Sequence, residues 1–137
     1  MNASVIPCLR YHDAGAALDW LCAAFGFTRK LVVPGPAETI AHAELCYRNG
    51  MVMLGSAQLD NEYGKLVSTV QQLGGNSQSL YVVVEDADEH CRRAQAAGAR
   101  VVLPVKDEGY GGRGYSCLDL EGNLWSFGTY DPWSPQS

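Results

Sequence analysis

The chain has 137 residues, 47% hydrophobic and 18% charged, the make-up of one ordinary globular domain with a core of its own. Its net charge of −5, with no cluster of lysine or arginine, argues against nucleic acid and anionic membrane surfaces as partners. No apolar stretch approaches the length of a membrane span, and the opening MNASVIPCLRYHD has no charged segment followed by an apolar run, so neither a membrane helix nor a signal peptide is expected.

In chain order, residues 5–11 form a short β-prone run, and Asp13 after it is placed to cap a helix. Ala17, Leu18, Leu21, Cys22 and Phe25 recur at helical spacing over 14–25, and Gly26 supplies the stop. Residues 28–33 return to strand, Pro34-Gly35-Pro36 turns the chain, and 39–48 and 51–55 are strands joined by the hairpin signal Asn49-Gly50. Residues 56–78 are polar, carry Gly64, Gly74 and Gly75, and lack sustained periodicity, which predicts a linker with a helical turn near 66–73. Residues 79–84 are a valine-rich strand, Asp86 caps a helix over 87–97, Gly98 ends it, and 100–105 is strand. Tyr110-Gly111-Gly112-Arg113 is too glycine-rich for a regular element. Beyond it, two aromatic and apolar runs flank Leu120-Glu121-Gly122-Asn123, a hairpin in which Gly122 takes the positive φ of a tight turn.

The two halves repeat. Asp13 and Asp86 lie 73 residues apart, and Gly26/Gly98 and Gly50/Gly122 lie 72 apart. A constant offset carrying the same order of elements predicts a duplicated β-α-β-β-β unit. The expected fold is α+β: two βαβββ modules forming curved mixed sheets with the helices on the outer face, and a binding cleft on the other face. The chain reads as one domain over 1–137, with module 1 at 4–56, a linker at 57–78 and module 2 at 79–131.

Strand alternation nominates the side chains of the cleft. On 39–48, Ala41, Ala43, Leu45 and Tyr47 should pack on a helix, leaving Ile40, His42, Glu44 and Cys46 on the other face. Ile6, Cys8 and Arg10 share a face, as do Ser79, Tyr81 and Val83, while Ser126 alternates with Trp125 and Phe127. With the loop residues Arg113 and Tyr115, the candidate ligand-binding set is Cys8, Arg10, His42, Glu44, Tyr81, Arg113, Tyr115 and Ser126. His42 and Glu44 are the candidate catalytic pair: at i, i+2 they could exchange a proton or supply two metal ligands, or simply form a polar surface pair. Arg10 either pairs with Glu44 or holds an anionic ligand. His12 and His90 sit near helix starts and are expected in solvent, and Trp20 and Trp125 in the helix–sheet cores. The five scattered cysteines (Cys8, Cys22, Cys46, Cys91, Cys117), with no C-x-x-C pair, read as reduced thiols of a cytoplasmic protein.

Several segments carry a family resemblance: Ile6-Pro7-Cys8-Leu9-Arg10-Tyr11 with Asp13-Ala14, Trp20-Leu21, Ala24-Phe25-Gly26-Phe27, His42-Ala43-Glu44-Leu45, Asn49-Gly50-Met51-Val52-Met53-Leu54, Tyr81-Val82-Val83-Val84, Tyr110-Gly111-Gly112-Arg113 and Asp119-Leu120-Glu121-Gly122-Asn123-Leu124-Trp125. In these the chain resembles the vicinal-oxygen-chelate superfamily of glyoxalases, bleomycin-resistance proteins and dioxygenases, in its PhnB-like branch. Leu120 departs from the proline usual in that turn. The resemblance implies a homodimer and, in the metal enzymes, four ligand positions. Here these hold Ile6, Met53 or Leu54, Ser79 and Ser126, none a usual ligand. The expectation is therefore a small aromatic or polar organic ligand bound in a metal-free cleft without a cofactor. The alternative is a metal-dependent lyase, isomerase or dioxygenase using His42 and Glu44.

Overall fold

The computed structural model describes residues 1–135. The chain divides into two compact units, Met1–Gly75 and Asn76–Ser137. Each contains one four-stranded mixed sheet covered on one face by a helix. Among the described residues, no helix is long and apolar enough to cross a membrane.

In the first unit β1 (Cys8–Tyr11), α1 (Ala14–Phe25), β2 (Thr28–Pro34), β3 (Ile40–Tyr47) and β4 (Gly50–Ser56) follow in sequence, and the sheet order is β1-β4-β3-β2. The β1–β4 pair is parallel and the others antiparallel. Asp13 caps α1 by accepting the Ala16 N–H at 3.0 Å, and Gly26 ends it at φ 86°, where a side chain would be strained. Ala14, Ala17, Leu18, Leu21, Ala24 and Phe25 of α1 are buried, as are Tyr11, Ala43, Leu45, Val52 and Leu54 of the sheet. Each large side chain removed from water here contributes about 1.5–3 kcal/mol.

The second unit repeats the plan with β5 (Leu80–Val83), α3 (Ala87–Ala96), β6 (Arg100–Asp107), β7 (Arg113–Leu118) and β8 (Leu124–Gly128), in the order β5-β8-β7-β6. Asp86 caps α3 as Asp13 caps α1. The packing differs from that of the first unit, where helix and sheet both bury large residues. Here the helix buries small residues, Ala87, Cys91 and Ala94, and the sheet brings the bulk in Tyr115, Trp125 and Phe127. Register irregularities in β2 between Arg29 and Leu31 recur in β6 between Val101 and Leu103, 72 residues on.

Several expectations are corrected. The β3–β4 hairpin turns on Arg48-Asn49; Gly50 already pairs with Tyr47 inside the ladder, and Arg48 takes the left-handed φ of 54°. The second hairpin has three loop residues, Leu120 to Gly122, closed by the Asp119 N–H on the Asn123 carbonyl at 2.9 Å, with Gly122 at φ 92°. That is the usual geometry of a three-residue loop, and its extra residue turns an offset of 72 into 73. The helical turn expected near 66–73 is present as α2 (Val70–Leu73), started by a capping box of Thr69 and Gln72, and the same segment adds a 3-10 turn over Tyr63–Lys65. Between β2 and β3, a 3-10 turn over Pro36–Glu38 holds Ala37 and Glu38 at left-handed φ of 53° and 63°. Ala41 is exposed, Trp20 is half-buried with its edge on Phe25, and His90 lies against Phe127 at 4.2 Å instead of in solvent.

Asp119 organises the second unit. Its Oδ1 accepts the N–H groups of Glu121 and Asn123 at 3.0 Å, and its Oδ2 accepts the buried Trp125 Nε1–H at 3.0 Å. Asp119→Ala should lose about 3 kcal/mol of stability in urea titration, because a buried indole N–H and two loop amides lose their acceptor at once. Asp119→Asn, which keeps one oxygen, should lose less.

The thiols make a second test. Burial pushes the Cys117 pKa up to about 12 and also raises that of Cys91, whereas Cys8 is exposed. In native protein at pH 8 a disulfide reagent should label Cys8 and spare Cys91 and Cys117 until denaturant is added. Since the fold raises the Cys117 pKa from 9.0, the folded state holds a proton that the unfolded state gives up above that pH. Stability should therefore fall as pH rises from 9 toward 12, and a Cys117→Ala variant should show a flatter fall.

Candidate functional site

Directly paired residues of neighbouring strands point to the same face, so the register defines the surface that α1 leaves open. One row crosses all four strands of the first sheet: Cys8 pairs with Met53, Met53 with Glu44, and Glu44 with Leu31. The row beside it holds Arg10, paired with Gly55, and Val33, paired with His42. Four of the residues nominated from sequence, Cys8, Arg10, His42 and Glu44, thus share one face.

Their interactions sort the alternatives. His42 Nε2 lies 2.9 Å from Glu44 Oε2, with both side chains partly exposed. Glu44 therefore engages His42 and not Arg10. The Arg10 guanidinium sits over Gly55, where a Cβ would come within 2.8 Å of its Nη1. It donates one hydrogen bond, to the Ser56 carbonyl at 3.3 Å, and stacks on the Tyr63 ring with 4.8 Å to the centroid. Sequence reasoning missed Tyr63 because its segment has no periodicity. Gly55 was the available signal: a glycine inside a strand marks close approach by another group.

The equivalent row of the second sheet runs Tyr81, Ser126, Ser116, Leu103. Tyr81 and Ser126 are on the open face, as the alternation predicts. Ser126 and Ser116 hydroxyls meet at 2.7 Å, and the Tyr81 hydroxyl donates to the Tyr130 carbonyl at 2.6 Å. Gly128 leaves room for that tyrosine, since a Cβ would meet the hydroxyl at 2.7 Å. Burial first, then Tyr110 and Asp131, raises the Tyr81 pKa, which keeps the phenol a donor.

Arg113 and Tyr115 are not brought to this face. The parity of β7 turns both toward α3. Tyr115 is 3% exposed, stacks on Phe127 and bonds His90 Nδ1 at 2.6 Å. Arg113 grips Asp88 through Nε at 2.8 Å and Nη2 at 3.2 Å, and Asp107 through Nη1 at 3.2 Å. Those two carboxylates hold the arginine charged, and the bond from Arg113 lowers the Asp88 pKa. The first residue of β7 thus clamps that strand to α3.

The residues present do not fit a divalent metal. Register selects Met53 over Leu54 as the open-face residue of β4, Leu54 being 3% exposed on the covered side. A thioether in one sheet and a serine hydroxyl in the other are poor donors for such an ion. Among the described residues no three of His, Cys, Asp and Glu gather where they could hold a metal. A separate recess of about 350 Å³ lies beside the start of α1, lined by His12, Asp13, Glu38, Thr39, Ser56 and Gln58. None of the residues nominated from sequence lines it.

Comparison with known proteins places this geometry. The chain is 36% identical to TioX from Micromonospora sp. ML1, whose crystal structure superposes with a TM-score of 0.73 over 93% of this chain and 98% of that one. It is 33% identical over 132 residues to an uncharacterized protein of Mycobacterium bovis, covering 93% of this chain and 86% of the relative. The fosfomycin resistance protein FosX from Mesorhizobium loti shares the fold at a TM-score of 0.64 but only 9% identity, over 96% of this chain and 94% of that one. A family model matches residues 5–127, and the chain belongs to the Glyoxalase/Bleomycin resistance protein/Dioxygenase superfamily.

Proposed function

We propose that this protein binds a small organic molecule on the open faces of its sheets, through its own side chains and without a divalent ion. The observation that carries the reading is Met53, which stands beside Cys8 and Glu44 where the superfamily's metal enzymes would need a nitrogen or oxygen donor. The open face of the first sheet suits a ligand: polarisable residues with a few placed polar groups, Arg10, His42 and Glu44; the open face of the second sheet, taken by itself, offers Tyr81 and Ser126. The working form is a homodimer, supported by exposed apolar residues on the outer strands, Leu31 and Val33 on β2 and Leu103 on β6.

The His42–Glu44 pair at 2.9 Å favours a second reading, in which the carboxylate orients an imidazole that moves a proton or binds a displaced metal. Metal analysis separates the two. Untagged protein should carry no stoichiometric metal, and nickel, zinc, manganese or iron(II) should leave its melting temperature unchanged, since only a ligand of the native state raises it. One metal per chain with a clear rise, abolished by His42→Ala and Glu44→Ala, would overturn the metal-free reading and install the enzyme.

A further inference from the structure

Arg10 is a half-buried arginine whose charge is unanswered. Arg29, Arg92 and Arg113 hold the carboxylates of Asp19, Glu89, and Asp88 with Asp107. Among the described residues, Arg10 has no carboxylate partner. It meets the carbonyl of Ser56 and the ring of Tyr63. Glu44, the acidic side chain of its own face, is taken by His42. A partly desolvated guanidinium held this way is costly unless an anion arrives to meet it.

The way it is held says which anion. The Tyr63 ring centroid lies 4.8 Å from the guanidinium carbon, and a Cβ at Gly55 would meet Nη1 at 2.8 Å. One of its five donors is spent on Ser56, which leaves four, and a pair of parallel N–H groups matches the two oxygens of a carboxylate. Cys8 and Met53, on the same open face two residues along their strands, offer polarisable apolar surface one row from Arg10.

We propose that the first sheet receives a hydrophobic organic carboxylate, its two oxygens forked onto Arg10 and its apolar body laid across Cys8 and Met53. The inference rests on the small-molecule reading above and names its ligand class. Tyr63 is the positioning residue, holding the guanidinium in place for the ligand.

Calorimetry on the full chain with matched acid and amide probes, 2-naphthoate and 2-naphthamide among them, tests it. The acid should bind at least about tenfold tighter than the amide. Arg10→Gln should erase that preference by weakening the acid far more than the amide; Arg10→Lys should keep part of it, as a point charge without the fork. Tyr63→Leu should weaken the acid selectively, and Arg92→Gln should change neither. An unchanged melting temperature shows that Arg10→Gln still folds. Equal binding of acid and amide to the wild type, or a preference surviving Arg10→Gln, overturns the carboxylate assignment and leaves the small-molecule reading standing. No binding by any probe pair overturns both.

Discussion

A four-stranded sheet has two faces, and each unit of this protein owns one long helix to cover one of them. That single shortage shapes everything else. On the covered face the apolar residues must interlock at the density of a solid. The first unit sets Leu18, Leu21 and Phe25 of α1 against a sheet that buries Tyr11, Ala43, Leu45, Val52 and Leu54, and the second sets the small residues of α3 against Tyr115, Trp125 and Phe127. On the uncovered face no such constraint acts. Residues there are free to be a thiol, a thioether, an imidazole or a phenol.

The duplicated frame makes the divergence of its two faces easy to follow. The same row of strand positions reads Cys8, Met53, Glu44, Leu31 in one sheet and Tyr81, Ser126, Ser116, Leu103 in the other. Only the terminal leucine is retained. The aspartate N-caps and the irregularity in the second strand are shared by the two units while the exposed rows are not. Glycines record the difference. Gly55 accommodates an arginine from β1 and Gly128 a tyrosine from β5, each on the strand beside it.

What the sequence disclosed was local. Asp13 and Asp86 announce helix starts, and Gly26, Gly98 and Gly122 announce left-handed backbone, because each satisfies its requirement within a few residues. Face assignment was legible where a flanking apolar residue fixes the parity: Ala43 and Leu45 put His42 and Glu44 on the open side, and Trp125 and Phe127 do the same for Ser126. It failed for Arg113 and Tyr115. The strand containing them begins inside a glycine-rich loop, and both residues are amphipathic enough to belong to either face. The partners that decide the matter, Asp88 and His90, lie on a helix 25 residues away in sequence. Tyr63 was invisible for a related reason, since its role comes from a tertiary contact in a stretch with no periodic signal. The Asn49-Gly50 signal named the right hairpin and the wrong turn residues, because the ladder registers Gly50 with Tyr47 and leaves Arg48 to bend.

The loop between β2 and β3 has an evolutionary side. Ala37 and Glu38 both occupy left-handed backbone without being glycine, which costs about 1–2 kcal/mol each relative to an ordinary conformation. Pro36 before them and the Thr39 hydroxyl, which donates to the Pro36 carbonyl at 2.6 Å, hold the shape. A lineage of such chains can therefore gain stability here by single changes toward glycine or asparagine, at two exposed positions outside the core of their unit. That reserve gives the open faces room to accept destabilising changes while new ligands are tried.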